Sequence, residues 1–172
     1  MVARRFIPLR IMDILDRLSE KLSIWLARLA GLFLVGMMGL ACANMTLRAF
    51  DMPLKGTFEL MGFLGAVGTG LSLAYAQRSK AHISVGLLMK HYPKSVRRIL
   101  AALTEAASCG FFLLAGLETA DWAGFLVTTG ELSETLRIAY HPFVFAAAAG
   151  CIAMAFVLMT DFLNTVTGRV EH

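Results

Sequence analysis

Charge is scarce in this chain. Only 16% of its 172 residues are Asp, Glu, Lys or Arg, and 58% are hydrophobic, against about 25% and about 45–50% in a soluble domain. A mean hydropathy of +0.68 points the same way. These values exclude an ordinary soluble fold and imply an integral membrane protein with room for one compact domain, residues 1–172. Alternation of apolar and polar residues over about 10-residue segments is also lacking, which argues against a barrel. The apolar runs are instead long and rich in Leu, Ala, Gly and Met, as helical spans are.

Cysteine is limited to Cys42, Cys109 and Cys151, each inside an apolar run and none in a C-x-x-C pair. They read as small reduced packing residues rather than metal or redox groups. No P-loop, nucleophile elbow or H-E-x-x-H occurs, so no catalytic, cofactor or metal site is expected and the chain does not read as an enzyme. The four histidines, His82, His91, His141 and His172, all fall outside the middle of an apolar run, which weighs against haem held between helices.

Four stretches approach the roughly 20 apolar residues that a span needs: 29–47, 58–76, 99–120 and 142–160. Thirteen of the 16 Lys and Arg residues lie before the first, between the second and third, or after the fourth. Arg48, Lys55 and Arg137 are the exceptions. This asymmetry predicts cytoplasmic termini. It also explains the net charge of +4 as a topology signal near lipid headgroups, so nucleic acid is not an expected partner. Ala41-Cys42-Ala43 has the form of a signal cleavage site, but the apolar run continues past it and the first span is expected to be retained.

Two further segments read as lying on the membrane. Over 6–26, Ile11, Ile14, Leu15, Leu18, Leu22 and Trp25 recur at three- and four-residue steps, with Arg10, Asp13, Asp16, Arg17 and Glu20 opposite. The pattern predicts an amphipathic helix at the cytoplasmic interface. Ile83 to Tyr92 is too short to span and predicts a second interfacial segment, ended by Pro93. The fold class expected is therefore all-α: four transmembrane helices, an N-terminal amphipathic helix and a short interfacial connection between spans 2 and 3.

Three acids stand in or beside apolar runs. Glu59 and Glu118 lie near span ends, while Glu105 lies deeper and is expected to contact a neighbouring helix or subunit. In span 2, Gly62, Ala66, Gly70 and Ala74 recur every four residues, a smooth strip suited to close helix packing or a subunit interface. Ala146, Gly150 and Met154 repeat the pattern in span 4.

The order of several short motifs resembles the small membrane subunit of tripartite ATP-independent periplasmic (TRAP) transporters, the DctQ-type family. Asn44 and Arg48 close span 1 in an N-x-x-x-R pattern. Gly56-Thr57-Phe58-Glu59 resembles the acidic entry to span 2. Gln77-Arg78-Ser79-Lys80-Ala81-His82-Ile83-Ser84-Val85 resembles its basic exit, with Ala81 and Gly86 where the family often has Gly and Asp. Leu136-Arg137-Ile138-Ala139-Tyr140-His141-Pro142 resembles the entry to span 4.

The resemblance implies a multi-pass subunit of the bacterial inner membrane. It would brace a large permease subunit that carries the substrate and ion sites. A periplasmic substrate-binding protein would deliver the substrate, often a carboxylate, and an ion gradient, commonly Na⁺, would drive uptake. It also implies that His82 fixes the turn after span 2 or a partner contact. Two other readings remain from the residues: a membrane anchor of a redox enzyme, and an independent small channel.

Overall fold

The structure is a computed structural model that describes residues 9–79 and 93–168. It has four helices: α1, Leu9–Ala49; α2, Thr57–Arg78; α3, Lys94–Thr129; and α4, His141–Thr167. All four are long and apolar enough to cross a membrane. The all-α class is as expected, and the described residues contain no strand beyond one isolated bridge, Leu132 to Ala139. The interfacial segment expected over Ile83–Tyr92, and His82 with it, lies outside the described residues.

Local chemistry explains where these helices stop. At the end of α1, the Asp51 N–H donates to the Arg48 carbonyl at 3.1 Å and the Met52 N–H to the Leu47 carbonyl at 3.0 Å. Asp51 adopts φ 58°. This is a Schellman termination with Asp, rather than Gly, in the left-handed position. Gly130 and Gly168 hold the equivalent positions after α3 and α4. Pro142 sits in the first turn of α4, where its missing N–H costs no helical bond.

The helices form an open row. α1 packs on α2, α2 on α4, and α4 on α3, with a lesser contact between α1 and α4. The two central helices bury 33% and 44% of their most apolar windows; the flanking α1 and α3 each bury 6%. Leu32, Val35 and Met38 of α1, and Phe111, Leu114 and Phe125 of α3, are exposed. With no water in a bilayer core, such surfaces face acyl chains or another apolar protein.

Backbone contact between α2 and α4 fixes the centre of the row. A Cβ on Gly70 would lie 3.1 Å from the Ala147 Cα and 3.3 Å from its carbonyl oxygen. A Cβ on Gly150 would overlap the Gly70 carbonyl outright. Around the crossing, Val67 and Leu71 pack with Ala30, and Ala74 packs with Ala153 and Val157. Gly116 plays the same part on the other side, where a Cβ would come within 2.8 Å of Ile152.

The four-residue strip of span 2 therefore divides. Gly70 and Ala74 are buried inside this chain, whereas Gly62 and Ala66 are exposed. The reason lies in the aromatics: Phe63 stacks on Phe143 with centroids 4.3 Å apart and meets Tyr140 edge-on at 5.3 Å. These rings separate α2 from α4 and leave an open groove lined by Ala66, Ala147 and Trp122.

The amphipathic N-terminal segment is continuous with the first span. It forms the first half of α1, which runs unbroken for 41 residues, about 60 Å at 1.5 Å per residue. Its bundle-facing stripe is Met12, Asp16, Ser19, Ser23, Leu26 and Ala30. The larger apolar side chains Ile14, Leu18 and Trp25 stay 54–63% exposed. Small hydroxyls face inward because they satisfy themselves on their own helix: Ser19 donates to the Asp16 carbonyl at 2.9 Å and Ser23 to the Ser19 carbonyl at 2.7 Å. α2 can then approach closely.

Gly150→Ala is expected to lower stability by about 1–3 kcal/mol, because rigid backbone must move to admit one methyl group. Gly62→Ala meets nothing within 4 Å and is expected to be neutral or stabilising, by up to about 1 kcal/mol of helix propensity. Thermal unfolding of the two variants in detergent, compared with wild type, checks the difference.

Candidate functional site

The side-chain hydrogen bonds and the ion pair of charged groups that join separate elements gather at the two ends of the row. At the loop end, two segments far apart in sequence meet. Gly56 adopts φ 75°, and a Cβ there would overlap the Leu136 side chain, which packs against its bare backbone. Glu59, in the first turn of α2, turns its carboxylate to the 130–140 loop. Oε1 accepts the Thr135 N–H at 2.7 Å and Oε2 accepts the Leu136 N–H at 3.1 Å. Its placement at a helix N-terminus also suits a negative charge.

The loop holds itself in shape for this contact. Ser133, almost fully buried, donates its N–H to the Ile138 carbonyl at 2.8 Å and accepts the Ile138 N–H on its hydroxyl at 3.2 Å. Arg137 takes φ 55° and donates its N–H to the Ser133 carbonyl at 3.2 Å. Nearby, Asn44 accepts the Leu54 N–H on Oδ1 at 3.1 Å, and Thr57 donates its hydroxyl to the Leu54 carbonyl at 2.8 Å. Arg48 contributes its backbone carbonyl to the α1 stop, and its side chain is exposed.

At the basic end, Arg78 finishes α2 and reaches α1. Its guanidinium donates to the Ser19 hydroxyl at 3.1 Å and the Asp16 carbonyl at 3.4 Å, and lies 3.7 Å from the Asp16 carboxylate. Asn164 of α4 donates to the other side of this cluster, reaching Asp16 Oδ1 at 2.7 Å. Gln77 donates to Asp161 Oδ2 at 3.1 Å. One carboxylate, Asp16, thus joins α1, α2 and α4.

Arg98 and Glu105 tie α3 in at this end. Arg98 donates Nε–H to the Thr165 carbonyl at 2.8 Å and a second N–H to the Val166 carbonyl. It thereby serves the orphan carbonyls at the end of α4, where a positive charge also complements the helix dipole. Glu105 accepts the Thr165 hydroxyl at 3.1 Å, so this deeper acid contacts a neighbouring helix of the same chain.

Among the described residues, no three His, Cys, Asp or Glu side chains come together. The arrangement is one of carboxylates and guanidinia tying helix ends, not of reacting groups around a cavity. A protein-family model for the tripartite ATP-independent periplasmic transporters, DctQ component, matches residues 37–168. The chain belongs to this family. No curated protein and no solved structure matches it significantly. The DctQ component is part of a tripartite transporter, so this chain is a TRAP transporter small permease subunit and a multi-pass membrane protein.

Of the residues singled out in the sequence, the structure unites Glu59 with the Leu136–Pro142 motif, and Asn44 with the loop that leads to Gly56. Arg78 stands at the opposite end of the bundle from these. A Cβ on Gly62 would meet nothing within 4 Å, and Ala66 lines the open groove beside Ala147 and Trp122. Sequence reasoning missed Asp16, Ser133, Asp161 and Asn164 as connectors. A signal was present for two of them: Asp161 and Asn164 interrupt the last turns of an otherwise apolar helix. Asp16 gave none, since its spacing placed it on a solvated face.

Glu59→Ala is expected to speed amide hydrogen exchange at Thr135 and Leu136 severalfold while leaving the centre of α4 unchanged. Exchange measured residue by residue in detergent tests this; equal protection in the variant would show that the carboxylate does not hold the loop.

Proposed function

We propose that this chain braces the large permease subunit of a TRAP transporter that imports a small organic acid. In this reading a periplasmic substrate-binding protein delivers the substrate and an ion gradient, commonly Na⁺, drives uptake. The chain sits in the bacterial inner membrane with both termini and the basic end of the row in the cytoplasm, and the loop end in the periplasm.

The observation that carries the bracing role is the open row itself. The central helices are locked by backbone contact at Gly70 and Gly150 and tied at both ends, so the row resists internal sliding. Its flanks leave broad apolar faces uncovered by this chain. The charged side chains of α2 and α4, namely Glu59, Arg78 and Asp161, all lie within about two turns of a helix end. Such a chain supports a partner better than it conducts a polar solute. Gly62 and Ala66, smooth and exposed, are positions where a helix of the large subunit would come close. The charge asymmetry supports the orientation.

Uptake into proteoliposomes tests the reading. The chain alone is expected to support none, and the large subunit with the binding protein little. The three together should restore uptake dependent on the ion gradient. Gly62→Leu is expected to reduce co-purification with the large subunit while leaving the chain's own melting temperature unchanged. Full uptake without this chain would contradict the proposal.

A further inference from the structure

The first half of α1 has an organisation that transporter bracing does not use. Arg10, Arg17, Lys21 and Arg28 are all exposed and follow one another at steps of seven, four and seven. At about 100° per residue these steps place all four within about 40° of arc, a single row some 27 Å long at 1.5 Å per residue. Beside that row runs the exposed apolar stripe of Ile14, Leu18, Leu22 and Trp25. The acids Asp13 and Glu20 lie on the arc between the row and the bundle. Asp16 faces inward, bound to Arg78 and Asn164.

We infer that this row and stripe bind anionic phospholipid in the leaflet at the basic end, the phosphates on Arg17 and Lys21, with Arg10 on their headgroup side, Arg28 reaching toward them from the core side, and the acyl chains along the stripe from Leu22 onward. The inference rests on the chain's being a membrane subunit. Depth supports it: Arg78, the last residue of α2, touches Asp16 and Ser19, so Arg17 and Lys21 lie level with the end of a helix that just crosses a bilayer core, while Ala30 meets α2 at Val67 and Leu71 and Arg28 lies correspondingly further in. Continuity supports it as well. The stripe passes without a break into Leu29 and Leu32, exposed residues of the span itself, so the same lipid face extends upward to the headgroups. Arg28 lies over the Trp25 ring, 5.6 Å from its centroid, the posture of an arginine whose stem runs along apolar surface while its charge reaches the interface. An acidic protein surface would suit the cations but not an apolar stripe continuous with the membrane-spanning face.

The test is lipid retention by the full chain taken from nanodiscs of mixed phosphatidylcholine and phosphatidylglycerol, read by native mass spectrometry. Wild type should retain phosphatidylglycerol severalfold above its bulk fraction, each cation weighing roughly fivefold in partitioning, and should lose the preference in about 1 M salt. The variant R10Q/R17Q/K21Q/R28Q should retain the two lipids at their bulk ratio, with its helicity unchanged. Replacing the three arginines by Lys should keep the preference. Should the fourfold variant fail to insert, R17Q/K21Q alone should show a partial loss. A bulk ratio in wild type, or an undiminished preference in the Gln variants, would overturn the inference. So would a fourfold variant that keeps its lipids but loses the large subunit, since the row would then serve a protein. The lipid assay involves no uptake and uses this chain alone, with co-purification of the large subunit as a separate control, so its failure would leave the transporter assignment standing.

Discussion

The row depends on the place where the backbones of α2 and α4 touch. Gly70 and Gly150 remove the two side chains that would hold these helices apart. In a bilayer, where lipid tails are as apolar as leucine, close van der Waals contact is what draws helices together. The contact makes α2 and α4 the core, with α1 packed chiefly on α2 and α3 on α4. The consequence is a row rather than a closed bundle, with two of four helices left largely uncovered.

The ends of the row convert that contact into a unit. At the loop end, Glu59 fixes the 130–140 loop by its backbone amides, so the contact depends little on which side chains the loop carries. At the basic end, Asp16 links three helices and Arg98 closes the fourth onto the C-terminus of α4. Polar groups gathered where water is available are less costly than polar groups at mid-span. The apolar surface between them is left for lipid and for the large subunit.

The sequence disclosed the helices because a span leaves few alternatives: about 20 apolar residues and flanking charge define it. The small-residue strip of α2 was legible as a packing signal, but spacing alone could not say where the strip stops serving this chain. That depends on Phe63 and Phe143, whose stacking opens the groove beside Ala66. The amphipathic pattern of 6–26 was legible too, but it carried no record of which residues meet the other helices. Periodicity ranks residues by hydrophobicity, whereas the helix turned Ser19 and Ser23 inward for their small size and self-satisfied hydroxyls. The meeting of Glu59 with Thr135 and Leu136 was out of reach, since no spacing along the chain records a contact across 76 residues. The motif resemblance noted both segments without showing that they touch.

The central claim is the open row, and the distance between its outer helices tests it most directly. Spin labels at Val35→Cys in α1 and Leu114→Cys in α3, in a chain with Cys42, Cys109 and Cys151 replaced by Ser, report that distance by double electron–electron resonance. With neighbouring helices about 8–10 Å apart, a row in the order α1, α2, α4, α3 predicts a separation beyond about 20 Å. A single short distance of about 10–15 Å, as adjacent helices of a closed bundle would give, would contradict the account.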